Sequence, residues 1–244
     1  MIITSSANDR VKSLRRLYCE KKERDNTGLY IAEGVTIVKD LPREDIEGLF
    51  IKESKLEELS SMVKNTEYFV VKDTVFDGIA DTKTPSGVIA VVKKRSDSTV
   101  DVGPTTVVLC GLSDCGNTGT IFRTACARGI TTVFVVDGAD PYAPKTVRAG
   151  MSAVSRLNIV QTDYDDVFRR LNDYDKIALD AGGDSIYDYQ RKKKIAFFVG
   201  NEAHGVPDTV MDRCDRVLSL PMEKDSVESL NAAVAAGVAM YVVR

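Results

Sequence analysis

The sequence has few of the residues from which metal sites and disulfide frameworks are built. His204 is the only histidine among 244 residues. The five cysteines are odd in number, and no two of them form a C-x-x-C pair. We therefore expect neither a metal site nor a disulfide framework.

Long apolar segments are also missing. No stretch approaches the roughly 20 residues that a helix needs to cross a bilayer. The first residues, MIITSSANDRVKSL, lack the apolar core of a signal peptide. Hydrophobic residues make up 43% and charged residues 28% of the chain, which are ordinary values for a globular protein. We expect a soluble, cytoplasmic protein with no membrane partner.

The glycine-rich segment LCGLSDCGNTGTIFRTACARG, residues 109–129, lacks the lysine of a nucleotide-binding loop. Gly111 and Gly116 have the spacing of a Walker A motif, but Asn117 and Thr118 stand where that motif requires Lys and then Ser or Thr. The glycines also miss the G-x-G-x-x-G spacing of dinucleotide folds. ATP and NAD are therefore not the expected ligands. A capped turn between a strand and a helix and a phosphate or cofactor site remain as alternatives.

The net charge of −3 hides a local basic cluster. Between positions 10 and 23, six basic residues stand against two acidic ones. The basic residues are Arg10, Lys12, Arg15, Arg16, Lys21 and Lys22. Val11, Leu14, Leu17 and Tyr18 recur at helical spacing, which predicts an amphipathic helix with its basic side chains outward. Local clustering of this kind indicates contact with nucleic-acid phosphate, and a solvated helix face is the alternative.

The chain divides into two predicted domains. Short alternating strands and helices predict a small α/β unit over residues 1–95. A polar segment that contains Gly103-Pro104 predicts a linker over residues 96–104. From residue 105 to 244, short and nearly unbroken apolar strands alternate with helices, which is typical of a parallel sheet. The predicted strands are TTVVLC, TTVFVVD, LNIVQ, KIALDA, IAFFVG and RVLSLP, and the predicted helices lie around 118–128, 143–152, 164–173, 207–213 and 227–242.

Three loops follow the carboxyl ends of these predicted strands: Gly111–Asn117, Gly200–Gly205 and Pro221–Ser229. Ligands of parallel sheets bind outside the carboxyl ends of the strands, so we expect the three loops to converge. The last helix, within SLNAAVAAGVAMYVV, is apolar around almost its whole circumference. Such a helix is buried within its domain or packs against a second copy of the chain.

Read together, the three loops resemble the SpoU branch of the SPOUT RNA methyltransferases. DCGNTGTIFRTACARG is similar to the first motif of that family, FFVGNEAHGV to the second, and LSLPMEKDSVESLNAAVAAG to the third. The upstream segments NDRVKSLRRLYCEKKERDNTGLYIAEGVTIVKD and TKTPSGVIAVV are similar to the ribosomal-protein-like substrate-binding domain of many rRNA-modifying members. The resemblance covers nearly the whole chain.

The resemblance implies a fold, an activity and a partner. The catalytic domain would be an α/β domain whose C-terminal segment forms a deep trefoil knot, and the chain would act as a homodimer through that domain. The activity would be transfer of a methyl group from S-adenosylmethionine to a ribose 2′-hydroxyl of RNA, with 23S rRNA as the expected substrate. A tRNA ribose methyltransferase and an RNA-binding or ribosome-assembly protein without catalysis are the alternatives. A further alternative, a nucleotide-binding enzyme, is supported only by the glycine-rich loop.

The resemblance also assigns roles to residues. Five would form or shape the catalytic site: Asn117, Arg123, Glu202, Ser229 and Asn231. Four would contact S-adenosylmethionine: Gly200, Leu220, Met222 and Leu230. Helix capping is the alternative for Glu202, Asn231 and above all Ser229, and core packing is the alternative for Leu220 and Leu230. Ala203-His204 departs from the second motif of the family, and His204 is left out of the expected mechanism.

Arg123 matches the position to which the family often assigns a general base. A guanidinium has a pKa above about 12 and is a poor proton acceptor near neutral pH. We therefore interpret Arg123 as a forked donor that binds the adjacent phosphate and stabilises the developing alkoxide. The expected RNA contacts are Arg10, Lys12, Arg15 and Arg16 of the basic helix, and Lys145 and Arg148 after a later strand.

Overall fold

The computed structural model describes residues 2–63, 66–95, 101–201, 203–223 and 229–243. The chain forms two compact units. The first unit comprises the residues up to Lys94 together with Tyr142–Ser155, and the second comprises Arg95–Pro141 together with the residues from Arg156 onward. The predicted linker lies partly outside the described residues, at 96–100. The predicted domain limits stay predictions.

The first unit contains a mixed five-stranded sheet. Its strands are β1 (Ile2–Ile3), β2 (Leu29–Glu33), β3 (Ile46–Lys52), β4 (Tyr68–Val71) and β5 (Val88–Lys93). The strand order is β1-β4-β3-β5-β2. β4 runs parallel to β1 and β3, whereas β5 runs antiparallel to β2 and β3. The sheet therefore presents two faces on which helices can pack.

Helices of the first unit pack on this sheet. They are α1 (Asp9–Cys19), α2 (Lys21–Thr27), α3 (Val35–Asp40) and α4 (Asp73–Asp77). α1 confirms the predicted amphipathic helix: Val11, Leu14 and Leu17 are buried in one core with Phe76 of α4 and Ile89 of β5.

The segment Tyr142–Ser155, which the sequence analysis placed in the catalytic domain, groups with the first unit. Its helix α6 spans Pro144–Gly150 and packs on β2. The rings of Tyr142 and Tyr30 lie 5.2 Å apart, and both side chains are buried. This grouping follows from aromatic packing between residues far apart in sequence.

The second unit contains a six-stranded sheet. Its strands are β6 (Thr105–Cys110), β7 (Thr132–Val136), β8 (Asn158–Gln161), β9 (Tyr174–Ser185), β10 (Lys194–Val199) and β11 (Arg216–Ser219). Every neighbouring pair is parallel, in the order β11-β9-β10-β6-β7-β8. The α/β fold with a parallel sheet is therefore confirmed. The deep knot stays a prediction.

The remaining helices lie between or after these strands. They are α5 (Cys115–Ala127), α7 (Ala153–Arg156), α8 (Tyr164–Arg170), α9 (Asp208–Met211) and α10 (Ala232–Val242). α10 packs on α5, and its Ala233, Ala236, Ala239 and Met240 are buried. Within the described ranges, no helix is long and apolar enough to span a membrane.

Strand β6 marks the point where the order of the sheet reverses. From β6 the chain passes outward through β7 to β8, and it then crosses to β9, β10 and β11 on the other side. β6 therefore lies between β7 and β10. In sheets of this kind, ligands bind at such a reversal.

Candidate active site

A pocket of about 210 Å³ lies at the carboxyl edge of the parallel sheet. Its walls come from the middle of β9, from the end of β10 and the loop after it, from β11 and the residues after it, and from the start of α10 and the residues just before it. The residues that line it are Leu179, Asp180, Ala181, Val199, Gly200, Asn201, Gly205, Leu218, Leu220, Met222, Ser229, Leu230, Ala232 and Ala235. The structure thus brings together all four predicted cofactor residues, and Ser229 with them.

The wall after β10 is made of closely packed main chain. Asn201 and Gly205 exchange two backbone hydrogen bonds, with N···O distances of 3.0 and 2.8 Å. A Cβ atom added to Gly200 would lie 1.9 Å from the carbonyl carbon of Gly205. No side chain fits in that space, so glycine at position 200 is a steric requirement of the loop.

Asn201 connects this wall to the loop after β6. Its Nδ2 donates to the Gly111 carbonyl at 3.1 Å and to the Ser113 Oγ at 3.3 Å. Its Oδ1 accepts from the Ala203 N–H at 2.8 Å. One side chain therefore fixes the loops of the first and second motifs, which the sequence analysis only expected to be neighbours.

The predicted residues Asn117 and Asn231 are in direct contact. The Asn231 Nδ2 donates to the Asn117 Oδ1 at 2.9 Å. The Asn231 Oδ1 also caps α10 by accepting from the N–H groups of Ala233 and Val234, at 2.9 and 3.3 Å. On the other side, Asp114 caps α5 by accepting from the Asn117 N–H at 2.7 Å. The starts of α5 and α10 are therefore joined through two asparagines.

The helix-capping alternative holds for Asn231 and not for Ser229. The N-cap of α10 is Asn231, so helix capping does not account for Ser229, which lines the pocket. Glu202 lies outside the described residues.

Arg123 is exposed on α5 and does not line the pocket. Its guanidinium makes no hydrogen bond or ion pair with any other described residue. All five of its N–H donors are therefore available to an incoming anion.

Asp180 is a pocket residue that the sequence analysis did not single out. It is the only acidic or basic side chain among the described residues that line the cavity. Its Oδ1 accepts from the Gly182 N–H at 2.9 Å, and a Cβ atom on Gly205 would lie 3.2 Å from its Oδ2. The signal in the sequence is an acidic residue followed by three small ones, DAGG, at the end of an apolar strand.

Beneath the loop after β6, Cys110 is fully buried. Burial raises the pKa of its thiol, and burial likewise raises the pKa of the neighbouring Tyr164 hydroxyl. Both groups therefore stay protonated at neutral pH, so the Cys110 thiol is a packing group and not a nucleophile.

The predicted RNA contacts all lie in the first unit. The four basic residues of α1 make local contacts. Two form ion pairs, Lys12 with Asp9 at 3.0 Å and Arg16 with Glu23 at 3.6 Å. The Arg10 guanidinium lies 4.4 Å from the centre of the Phe69 ring, and the Arg15 guanidinium lies 3.5 Å from the Gly78 carbonyl oxygen. On α6, Arg148 pairs with Asp81 at 2.8 Å. Lys145 lies at the start of the same helix. Their contact with RNA stays a prediction.

Fold and site together are those of an RNA methyltransferase that uses S-adenosylmethionine. The chain belongs to the SpoU rRNA methylase family, whose model matches residues 104–241. A model of the MRM3-like substrate binding domain matches residues 8–90.

Relatives and solved structures agree with this family. The chain is 28% identical over 257 residues to the Bacillus subtilis 23S rRNA (guanosine(2553)-2′-O)-methyltransferase RlmP, covering 99% of this chain and 98% of the relative. It is 30% identical over 186 residues to the Bordetella pertussis 23S rRNA (guanosine-2′-O-)-methyltransferase RlmB, covering 68% and 72%. The crystal structure of an AdoMet-bound rRNA methyltransferase from Sinorhizobium meliloti superimposes with a TM-score of 0.85 at 26% identity, covering 99% of this chain and 96% of the other.

Proposed function

We propose that this chain transfers a methyl group from S-adenosylmethionine to a ribose 2′-hydroxyl of 23S rRNA. The observation that carries the proposal is the convergence of the three motif loops. Gly200, Leu220, Met222 and Leu230 line one pocket, and Asn117 of the first motif bonds to Asn231 of the third at its side. The RNA and position named for the relatives, 23S rRNA and ribose 2′-O, support the substrate class.

The pocket has the chemistry to hold this donor. Apolar side chains and main-chain N–H and C=O groups suit a flat adenine ring, and the Asp180 carboxylate suits a cation. S-adenosylmethionine supplies a methyl group activated by its positively charged sulfur. We propose that Asp180 contacts the cationic part of the donor and that Leu220, Met222 and Leu230 pack on its apolar surface.

The groups proposed to act on the ribose that accepts the methyl group are the Arg123 guanidinium and the side-chain amides of Asn117 and Asn231. Arg123 stays protonated near neutral pH and cannot remove the proton of the ribose hydroxyl. We propose that its guanidinium binds the neighbouring phosphate with two N–H donors and stabilises the oxygen as negative charge develops. The Asn117 and Asn231 pair fixes the first turn of α5 beside the pocket. We also propose Glu202 as a site residue, because it belongs to the segment that is similar to the second family motif.

We also propose that the chain works as a homodimer through the α5 and α10 face. Four apolar side chains on or just before α10 are at least 38% exposed: Leu230, Val234, Tyr241 and Val242. Association of two copies would remove this apolar surface from water. Arg123, on the helix that packs against α10, would then lie at the subunit boundary. With an rRNA substrate, we expect the protein in the cytoplasm.

Mapping of 2′-O-methyl groups tests the activity directly. Total RNA from cells with and without the protein would be compared for ribose methylation, nucleotide by nucleotide. We expect one 23S rRNA site to lose its methyl group without the protein and to regain it when purified protein and S-adenosylmethionine are added. The tRNA fraction of the same cells serves as the internal control.

Two results would overturn the proposal. A methyl group that disappears only from tRNA would move the substrate to that RNA. Failure of S-adenosylmethionine to bind in calorimetry, with no change in methylation, would leave an RNA-binding protein without catalysis.

A further inference from the structure

A second cavity, of about 170 Å³, lies in the first unit beside α1. We call it the α1 groove. Leu14 and Leu17 of α1 form one side, and Leu29, Val91 and Phe69 come from the strands β2, β5 and β4. Because β4, β3, β5 and β2 are consecutive in the sheet, the groove runs across the sheet face next to the helix.

The floor of the α1 groove is apolar and only partly covered. Leu29, Phe69 and Val91 pack against the buried core but are themselves only partly buried. Gly48 of β3 has no side chain there, and a Cβ atom on it would lie 3.5 Å from the Phe69 ring. The Phe69 ring therefore extends towards the neighbouring strand, where it lies 5.0 Å from the Phe50 ring.

The rim of the groove is polar and carries a cation with unused donors. The Arg10 guanidinium lies over the Phe69 ring at 4.4 Å. Among the described residues it has no ion-pair partner, so its N–H groups can bond to a ligand. Ser13 and Glu47 also line the groove. Glu47 pairs with Lys93 at 3.0 Å, and both side chains are about half exposed, at 48% and 51%.

We propose that the α1 groove binds one unpaired base of the RNA substrate. The face of the base would stack on the Arg10 guanidinium, which itself lies over the Phe69 ring, and would contact Val91, as aromatic and arginine planes hold single-stranded bases in other proteins. The Glu47 carboxylate is an acceptor at the edge of the groove. It favours a base with an exocyclic amino group, which adenine, guanine and cytosine have and uracil lacks.

Charge favours RNA over a protein partner. The groove borders the outward face of α1, which carries Lys12, Arg15 and Arg16 in addition to Arg10. A cluster of cations next to an aromatic wall matches the combined phosphate and base chemistry of a single-stranded nucleotide. The substrate-binding-domain model begins at residue 8, immediately before this helix. The inference rests on the proposed function, because it assumes that RNA is the substrate.

The test compares two hairpin RNAs that share one stem, of which one carries a single bulged adenosine. Binding of the full chain is measured by fluorescence anisotropy without methyl donor. We expect the bulged hairpin to bind about tenfold more tightly, a usual effect of stacking one base. Arg10→Lys keeps the charge but loses the planar fork, and Phe69→Leu keeps the apolar bulk but loses the ring. Each should reduce this preference, measured against the plain stem bound by the same variant, to about twofold or less.

Lys12→Ala is the matched control from the same helix. It removes a phosphate contact outside the groove and should weaken both hairpins equally. Glu47→Gln should reduce the preference for a bulged adenosine over a bulged uridine. No preference for any bulge in the wild type, or a preference that Arg10→Lys and Phe69→Leu leave unchanged, would overturn the inference. The groove would then be open to a protein partner.

These outcomes are separate from those of the proposed function. A chain that methylates rRNA but shows no preference for bulges contradicts only the base site. A chain that prefers bulges but binds no S-adenosylmethionine contradicts only the methyl transfer.

Discussion

The two units use their sheets to make sites of opposite character. In the second unit all strands are parallel, so the loops at their carboxyl ends meet at one edge, where the closely packed main chain of Gly200 and Gly205 forms one wall of what we call the backbone pocket. In the first unit the sheet is mixed, and the α1 groove lies across its face, walled by long side chains. We therefore expect ligand binding in the backbone pocket to be weakened most by substitutions that add atoms, and binding in the α1 groove by substitutions that remove side-chain atoms.

The largest effect is expected from adding one carbon to the backbone pocket. Gly200→Ala would place a Cβ atom 1.9 Å from the main chain of Gly205, so the loop has to move. We expect donor affinity in calorimetry to fall more than about 100-fold, upward of about 3 kcal/mol. Gly237→Ala is the control: its Cβ would have an ordinary contact at 3.6 Å, and in a helix it should stabilise by about 0.5–1 kcal/mol. Equal donor binding by both variants would contradict the steric argument.

Arg123→Lys tests whether the second unit also depends on one side chain. The substitution keeps the charge but removes the forked donor, so we expect kcat to fall about 100-fold, as when a transition-state donor is lost. Donor affinity should be unchanged, because Arg123 does not line the pocket. Turnover close to that of the wild type would refute the forked-donor role.

Asp180→Asn asks whether the pocket recognises charge as well as shape. Loss of a hydrogen bond or ion contact to a charged group costs about 1.5 kcal/mol or more, so the affinity for S-adenosylmethionine should fall about tenfold. The demethylated product has no positive sulfur, and its affinity should fall less. An equal loss for both molecules would show that Asp180 does not respond to the sulfonium charge.

Asn231 separates helix stability from site assembly. Asn231→Ala removes the cap of α10 and should lower the free energy of unfolding by about 1 kcal/mol. Asn231→Asp keeps a capping oxygen and should preserve stability, but it cannot donate to Asn117. We expect both variants to lose activity while only the alanine variant loses stability in denaturant unfolding. Full activity of Asn231→Asp would remove the asparagine pair from the proposed site.

The smallest effect concerns an ion pair where β9 and β11 meet. Burial raises the pKa of Asp215, but hydrogen bonds from Lys176 outweigh it and hold the pKa below its ordinary value of 3.8. A carboxyl whose pKa is lower in the folded chain than in the unfolded chain stabilises the fold at pH values above its ordinary pKa. This stabilisation is lost as the pH falls through the lowered pKa. Because Asp215 is 41% exposed, Asp215→Asn should cost only about 0.5 kcal/mol at pH 7. The difference from wild type in urea unfolding should shrink as the pH falls below 3.8; a constant difference would contradict the linkage.

The sequence predicted the fold of the second unit well because its strands are buried on both faces. TTVVLC was predicted as a strand, and β6 spans those residues, Thr105–Cys110. Convergence of the loops 111–117, 200–205 and 221–229 was expected from the rule for carboxyl ends, whereas the cofactor roles of Gly200, Leu220 and Leu230 came from the family resemblance. The predicted knot rests on the family resemblance alone, because periodicity contains no information on threading, and both the knot and the dimer stay predictions.

Other features depended on tertiary contacts that no local pattern encodes. β9 runs on to Ser185, although KIALDA was the predicted extent, because β11 pairs with its second half after a register shift. Asp180 was missed for that reason, since DAGG is typical of a turn. The grouping of Tyr142–Ser155 with the first unit depends on packing across more than 100 residues, such as that of Tyr142 on Tyr30.

The contact between Gly200 and Gly205 also limits how the enzyme can be engineered. Efforts to make it deliver longer alkyl groups from synthetic donor analogues need extra room, and that room cannot come from the rigid backbone wall. It would have to come from shortening an apolar side chain that lines the pocket, such as Leu220 or Met222. Resistance to an inhibitor that contacts this wall could not arise by substitution of Gly200, because every substitution at position 200 adds atoms where none fit.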